Sequence, residues 1–90
     1  MNNLQFIATY IFENPDNARY NEIIRNLMLW KGHPAWAIAN IGGWYSRYFT
    51  MFPSNGTSYQ PTLWVKTDPT NRNSGFKLTP KGMTYVIKGA

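Results

Sequence analysis

The sequence contains no cysteine, a single histidine and only four acidic residues, and these shortages close off several kinds of chemistry. Without cysteine there is neither a disulfide nor a thiol nucleophile, and the chain carries no sign of its redox compartment. His33 stands alone and the carboxylates Glu13, Asp16, Glu22 and Asp68 are scattered, so neither a metal-ligand spacing nor a nucleophile with an adjacent base can be assembled. The expectation is a protein that is not an enzyme and uses no cofactor or metal. Long hydrophobic runs are missing as well. Arg25 and Lys31 interrupt the best candidate, and Met1-Asn2-Asn3-Leu4-Gln5-Phe6 has no basic leader, which predicts a soluble, cytoplasmic chain with no membrane segment.

What the chain does have is aromatic mass: four Trp, six Tyr and five Phe among 90 residues, within an apolar content of 43%. That is enough to close one modest core and too little for two, so residues 1–90 are expected to form a single domain. The net charge of +5 is unevenly distributed. Residues 1–30 carry Glu13, Asp16 and Glu22 against Arg19 and Arg25, a net of −1, whereas residues 31–90 carry seven bases against Asp68 alone, a net of +6. A polyanion is the natural partner for that second part.

Periodicity and punctuation predict the elements. Leu4, Ile7, Ala8 and Ile11 fall at helical spacing over residues 4–12, a segment stopped by Pro15. After a short extended link at residues 17–20, Asn21 is a plausible N-cap for a second helix, with Ile23, Ile24, Leu27 and Met28 or Leu29 inward, ended by Lys31-Gly32. Pro34 suits the first turn of a third helix over residues 35–49. Its inward face would be Ala37 or Ile38, Ile41, Trp44 or Tyr45, and Tyr48, leaving Trp36, Asn40, Gly43 and Arg47 as an outward stripe. Gly42-Gly43 weakens that helix, at about 1 kcal/mol per glycine relative to alanine, and invites a bend or a break into two pieces. Residues 51–61 read as a loop, residues 63–66 and 76–78 as the strands of a hairpin across residues 67–75, and Pro80 opens a last helix to about Ile87.

The order helix, helix, helix, strand, loop, strand, with Phe76-Lys77-Leu78-Thr79-Pro80-Lys81-Gly82 leading into a final helix, resembles the winged helix-turn-helix superfamily, whose members often close the wing with a Leu-Thr-x-Lys-Gly phrase. The resemblance spans roughly residues 4–87 and implies an α+β fold of three helices plus a β-hairpin wing and a short C-terminal helix. The double glycine and the insertion at residues 51–61 depart from the usual pattern. It further implies that the third helix enters the major groove while the wing reaches phosphates or the minor groove. Members include the origin- and repeat-binding domains of phage and mobile-element replication initiators. The partner so implied is double-stranded DNA, bound by a homodimer on repeated half-sites, with no small-molecule substrate.

On that layout Arg47 can pair bidentately with guanine and Asn40 with adenine, each worth about 1–3 kcal/mol of discrimination. Lys31, His33, Ser46, Lys66, Arg72 and Lys77 are phosphate candidates. Arg72 sits between Asn71 and Asn73 at the hairpin tip, where a long cation can enter a narrow minor groove. Trp36 can pack on a sugar or a thymine methyl, although a Trp at this spacing more often joins a core or a dimer contact. The plainer reading of all these residues is a solvated surface. Two other functions fit the composition: a protein-docking module using exposed Trp and Tyr, and a single-strand binder using aromatic stacking.

Overall fold

In the computed structural model of the protein, residues 1–50, 58–71 and 73–88 are described, with the side chains of residues 39, 41 and 42 left aside. Helix α1 spans Asn3–Glu13 and α2 spans Tyr20–Trp30. A helical stretch of three pieces follows: the 3-10 turn η1 at Ala35–Ala37, one α-turn, α3, at Ile38–Ile41, and a 3-10 segment, η2, at Gly42–Phe49. Strands β1 (Trp64–Lys66) and β2 (Phe76–Leu78) pair antiparallel with Val65 opposite Lys77, and α4 (Pro80–Lys88) closes the α+β arrangement.

Each boundary has a local cause. Asn2 caps α1 with a reciprocal box: its Oδ1 accepts from the Gln5 amide at 2.8 Å, while the Gln5 side chain accepts from the Asn2 amide at 2.9 Å. The helix ends at Asn14, the residue that Pro15 disfavours in helical geometry. Helix α2 begins one residue before the expected cap. Its N-cap is Arg19, which makes no side-chain capping bond, and Asn21 lies inside the first turn. At its far end Gly32 adopts φ +92°, the Gly32 amide donates to the Leu29 carbonyl and the His33 amide donates to the Met28 carbonyl, each at 3.0 Å. This is a Schellman close, and it needs the left-handed glycine. Open space surrounds the position, so Gly32→Ala brings backbone strain alone. We expect it to cost about 1–2 kcal/mol, read as a lower urea midpoint with an unchanged slope.

The core is Ile7, Ala8 and Ile11 of α1, Ile23, Ile24, Leu27 and Met28 of α2, Tyr45 and Tyr48 of η2, and Ala18, Leu63, Trp64 and Phe76 around the hairpin. Leu29, the alternative to Met28 on the inward stripe, is 44% exposed. Helix α1 packs against α2, α4 and β2. The link before α2 is tied to the hairpin, because the Phe76 amide donates to the Ala18 carbonyl at 2.8 Å. That bond sets the start of α2 beside the strands. Phe49 joins η2 to the same region through rings 5.0 Å from Phe76, 5.2 Å from Tyr20 and 5.7 Å from Trp64.

The phrase Leu78-Thr79-Pro80-Lys81-Gly82 makes the junction between β2 and α4. The Thr79 amide donates to the Leu63 carbonyl at 3.0 Å, its hydroxyl donates to the Thr62 carbonyl at 2.6 Å, and the same oxygen accepts from the Gly82 amide at 3.1 Å. Thr79 is therefore the N-cap of α4, and Pro80 fills the first helical position, where no N–H is needed. Gly82 is buried, and a Cβ there would overlap the Leu63 carbonyl oxygen.

Candidate functional site

The expected third helix is broken, as its glycine pair invites, but into three pieces rather than two: at Gly42 the winding tightens from α to 3-10. With three residues per turn, side chains at i and i+3 line up. Tyr45 and Tyr48 form one row, and both are buried. Ser46 and Phe49 form a second, half-buried row, and Trp44, Arg47 and Thr50 form an exposed third. Trp44, an inward candidate at α spacing, is 67% exposed as a result. All four members of the expected outward stripe, Trp36, Asn40, Gly43 and Arg47, are exposed, but the row mate of Arg47 is Trp44 rather than Gly43. Trp36 is 77% exposed and takes no part in the core.

Arg47 does not hang free. Its guanidinium donates to the Tyr48 hydroxyl at 3.3 Å and lies 5.1 Å from the centre of that ring, and the bond to Tyr48 raises its pKa further above the ordinary arginine value. The Tyr48 hydroxyl also accepts from the Asn3 side chain at 3.3 Å, which draws Arg47 toward the start of α1. Lys31 lies 6.0 Å from the Trp30 ring and borders a small hollow that Tyr48 also lines, so Lys31 and Arg47 flank one tyrosine. His33 is half-buried and its Nε2 shares a hydrogen bond of 3.1 Å with the Tyr45 hydroxyl. It pins the end of α2 to η2.

The connection between the strands is held by its own polar groups. The Asp68 carboxylate accepts from the Thr70 amide at 3.1 Å and the Thr70 hydroxyl at 2.7 Å, and those two bonds hold its pKa below the ordinary value. Asn71 Oδ1 accepts from the Asn73 amide at 2.9 Å, and the Ser74 hydroxyl donates to the Asp68 carbonyl at 2.9 Å. Asn71 is thus engaged in shaping the turn, while Asn73 is exposed. Lys77 projects from β2 into solvent, between the inward Phe76 and the half-buried Leu78. Arg72, the tip cation, lies outside the described residues.

Ser46, Lys66 and Asn73 come together. They border an open groove of about 920 Å³ between the start of α2, η2 and the hairpin. Three further residues of that groove carry chemistry that the sequence did not advertise. Arg19 and Tyr20 stand at the start of α2, in the acidic third of the chain. Gln60, next to the cis peptide bond with Pro61, is 7% exposed, and its Oε1 is buried without a hydrogen-bond partner. An unpaired buried acceptor costs about 1–3 kcal/mol. No spacing in the sequence marks Gln60, since its burial depends on how residues far apart meet. The one sequence clue to Arg19 is its place just before a helix that follows a short extended link.

No family model, curated protein or solved structure matches this chain. Among the described residues no group of three His, Asp or Glu side chains is placed to hold a metal ion, and no helix is long and apolar enough to cross a membrane.

Proposed function

We propose that the chain is a non-enzymatic, sequence-specific binder of double-stranded DNA with a winged helix-turn-helix layout. In this reading α2 and residues 35–49 are the helix-turn-helix, joined through the Schellman turn at Gly32, and the hairpin is the wing. Replication initiation and transcriptional regulation are the settings that suit it, in the cytoplasm or nucleoid, as a homodimer on repeated half-sites. One observation carries the proposal: η2 exposes Arg47 on one row, while its neighbouring row borders the same groove as Lys66 and Asn73 of the hairpin. Helical segment and hairpin therefore border one groove. Arg47 and Asn40 would read bases, and Lys31, Lys66, Lys77 and Arg72 would hold phosphates.

The test begins with a duplex enriched from random sequence. Arg47→Ala should weaken binding to that duplex about tenfold to a hundredfold, measured by fluorescence anisotropy, and should relax the preference at one base pair. Equal affinity of the variant and the parent chain for that duplex would sink the assignment.

A second reading is favoured by the two most exposed indoles, Trp36 and Trp44. Large exposed aromatics are typical anchors of protein interfaces, so a docking module on the same scaffold would depend on them. It predicts that Trp36→Ala abolishes partner binding while Arg47→Ala does not.

A further inference from the structure

We infer that Tyr48 and Asn3 are positioning residues for Arg47: together they hold its guanidinium in place before a duplex arrives, and so set how sharply Arg47 discriminates one base pair. This role rests on the duplex reading above and deepens it. It brings α1, which lies outside the helix-turn-helix, into the specificity of the site.

Tyr48 is a fixed post. Its ring is 7% exposed and stacks on Tyr59, with 5.7 Å between centroids and 25° between planes. Its hydroxyl accepts from the Asn3 side-chain amide at 3.3 Å, and Asn3 is the first residue of the capped helix α1. The Arg47 guanidinium is fastened to that post twice, by an Nη2 hydrogen bond of 3.3 Å to the hydroxyl and by its place 5.1 Å from the ring centre. A buried hydroxyl is satisfied by one partner, and Asn3 supplies it. The second bond acts on Arg47.

An exposed arginine gives up rotamer freedom when it binds, and one that is already held gives up less. The grip leaves a recognition edge free. A guanidinium carries five N–H groups, the hydroxyl takes one, and a bidentate pair with guanine takes two. A carboxylate in place of the hydroxyl would take two and offset the charge, but among the described residues none borders the hollow lined by Asn3, Lys31 and Tyr48.

Binding of the full chain would be measured by fluorescence anisotropy on the enriched duplex, on duplexes changed at single base pairs, and on an unrelated duplex. Tyr48→Phe keeps the buried ring and removes only the hydroxyl. It should lower discrimination about threefold to tenfold at the base pair that Arg47→Ala relaxes, and leave affinity for the unrelated duplex within about twofold. In the Arg47→Ala background it should add nothing, because the hydroxyl acts through the guanidinium. A tyrosine that served packing alone would change binding to every duplex alike, with or without Arg47. Asn3→Ala should act in the same direction as Tyr48→Phe, and serves if that variant fails to fold. A parent chain without preference among duplexes would end the duplex reading and this role with it. If Arg47→Ala relaxes one base pair while Tyr48→Phe and Asn3→Ala discriminate like the parent, or if their effects persist without Arg47, this role alone is overturned.

Discussion

Gly82→Ala is expected to lower the unfolding free energy by about 3 kcal/mol, and with it the melting temperature by about 15 °C. Two effects oppose each other at this position. Alanine is the better helix former by about 1 kcal/mol, which would stabilise α4. Against that, a Cβ at residue 82 would overlap the Leu63 carbonyl oxygen and stand 3.0 Å from its carbon and 3.1 Å from Leu78 Cδ2. The first two are backbone atoms, and the carbonyl is already fixed by the Thr79 amide. It cannot swing aside without releasing that bond and moving the first turn of α4 off the strands. The clash therefore wins. Thermal unfolding followed by circular dichroism measures the outcome, and a melting temperature equal to the parent's would mean that α4 does not seat on Leu63 as described.

The second large effect concerns salt. If Lys31, Lys66, Arg72 and Lys77 each neutralise one phosphate, about four counterions leave the duplex on binding, and the logarithm of affinity should fall with that of salt with a slope of about −3.6. Between 50 and 200 mM this amounts to a loss of about a hundredfold. Lys77→Ala should reduce the slope by about one without altering which sequence is preferred. Affinity that varies less than threefold over this range would exclude a phosphate-tracking surface and favour the docking reading through Trp36 and Trp44. The two experiments are independent, since the first reads how Gly82 packs on Leu63 and the second reads charge.

Much of the element order was legible. Ile7, Ala8 and Ile11 announce α1 by spacing, Gly32 announces the end of α2, and the strand Phe76–Leu78 and the start of α4 at Pro80 fall where pattern and proline place them. Such features are local, and local chemistry decides them. Over residues 35–49 a period of 3.6 assigns Gly43 and Arg47 to one stripe and leaves Trp44 and Tyr45 as equal candidates for the interior. The actual period is close to 3.0 over the glycine-led part, so Tyr45 and Tyr48 go in together and Trp44 comes out. The groove was not legible at all. It depends on the Phe76 amide meeting the Ala18 carbonyl, a contact between residues far apart in the chain that sets Arg19 on the same groove as Lys66 and Asn73.

Tight winding also sets a length. Eight residues at the 3-10 rise extend about 16 Å, against about 12 Å for the same residues as an α-helix. Each residue advances about 120° rather than about 100°, so rewinding the segment from Gly42 as α would leave Tyr48 about a third of a turn out of step with the interior. The pitch and the buried tyrosine pair thus enforce one another. A sequence that restored helix formers at both glycines would have to give up one of these two: the distance that Arg47 is carried from the end of α3, or the ring that anchors it.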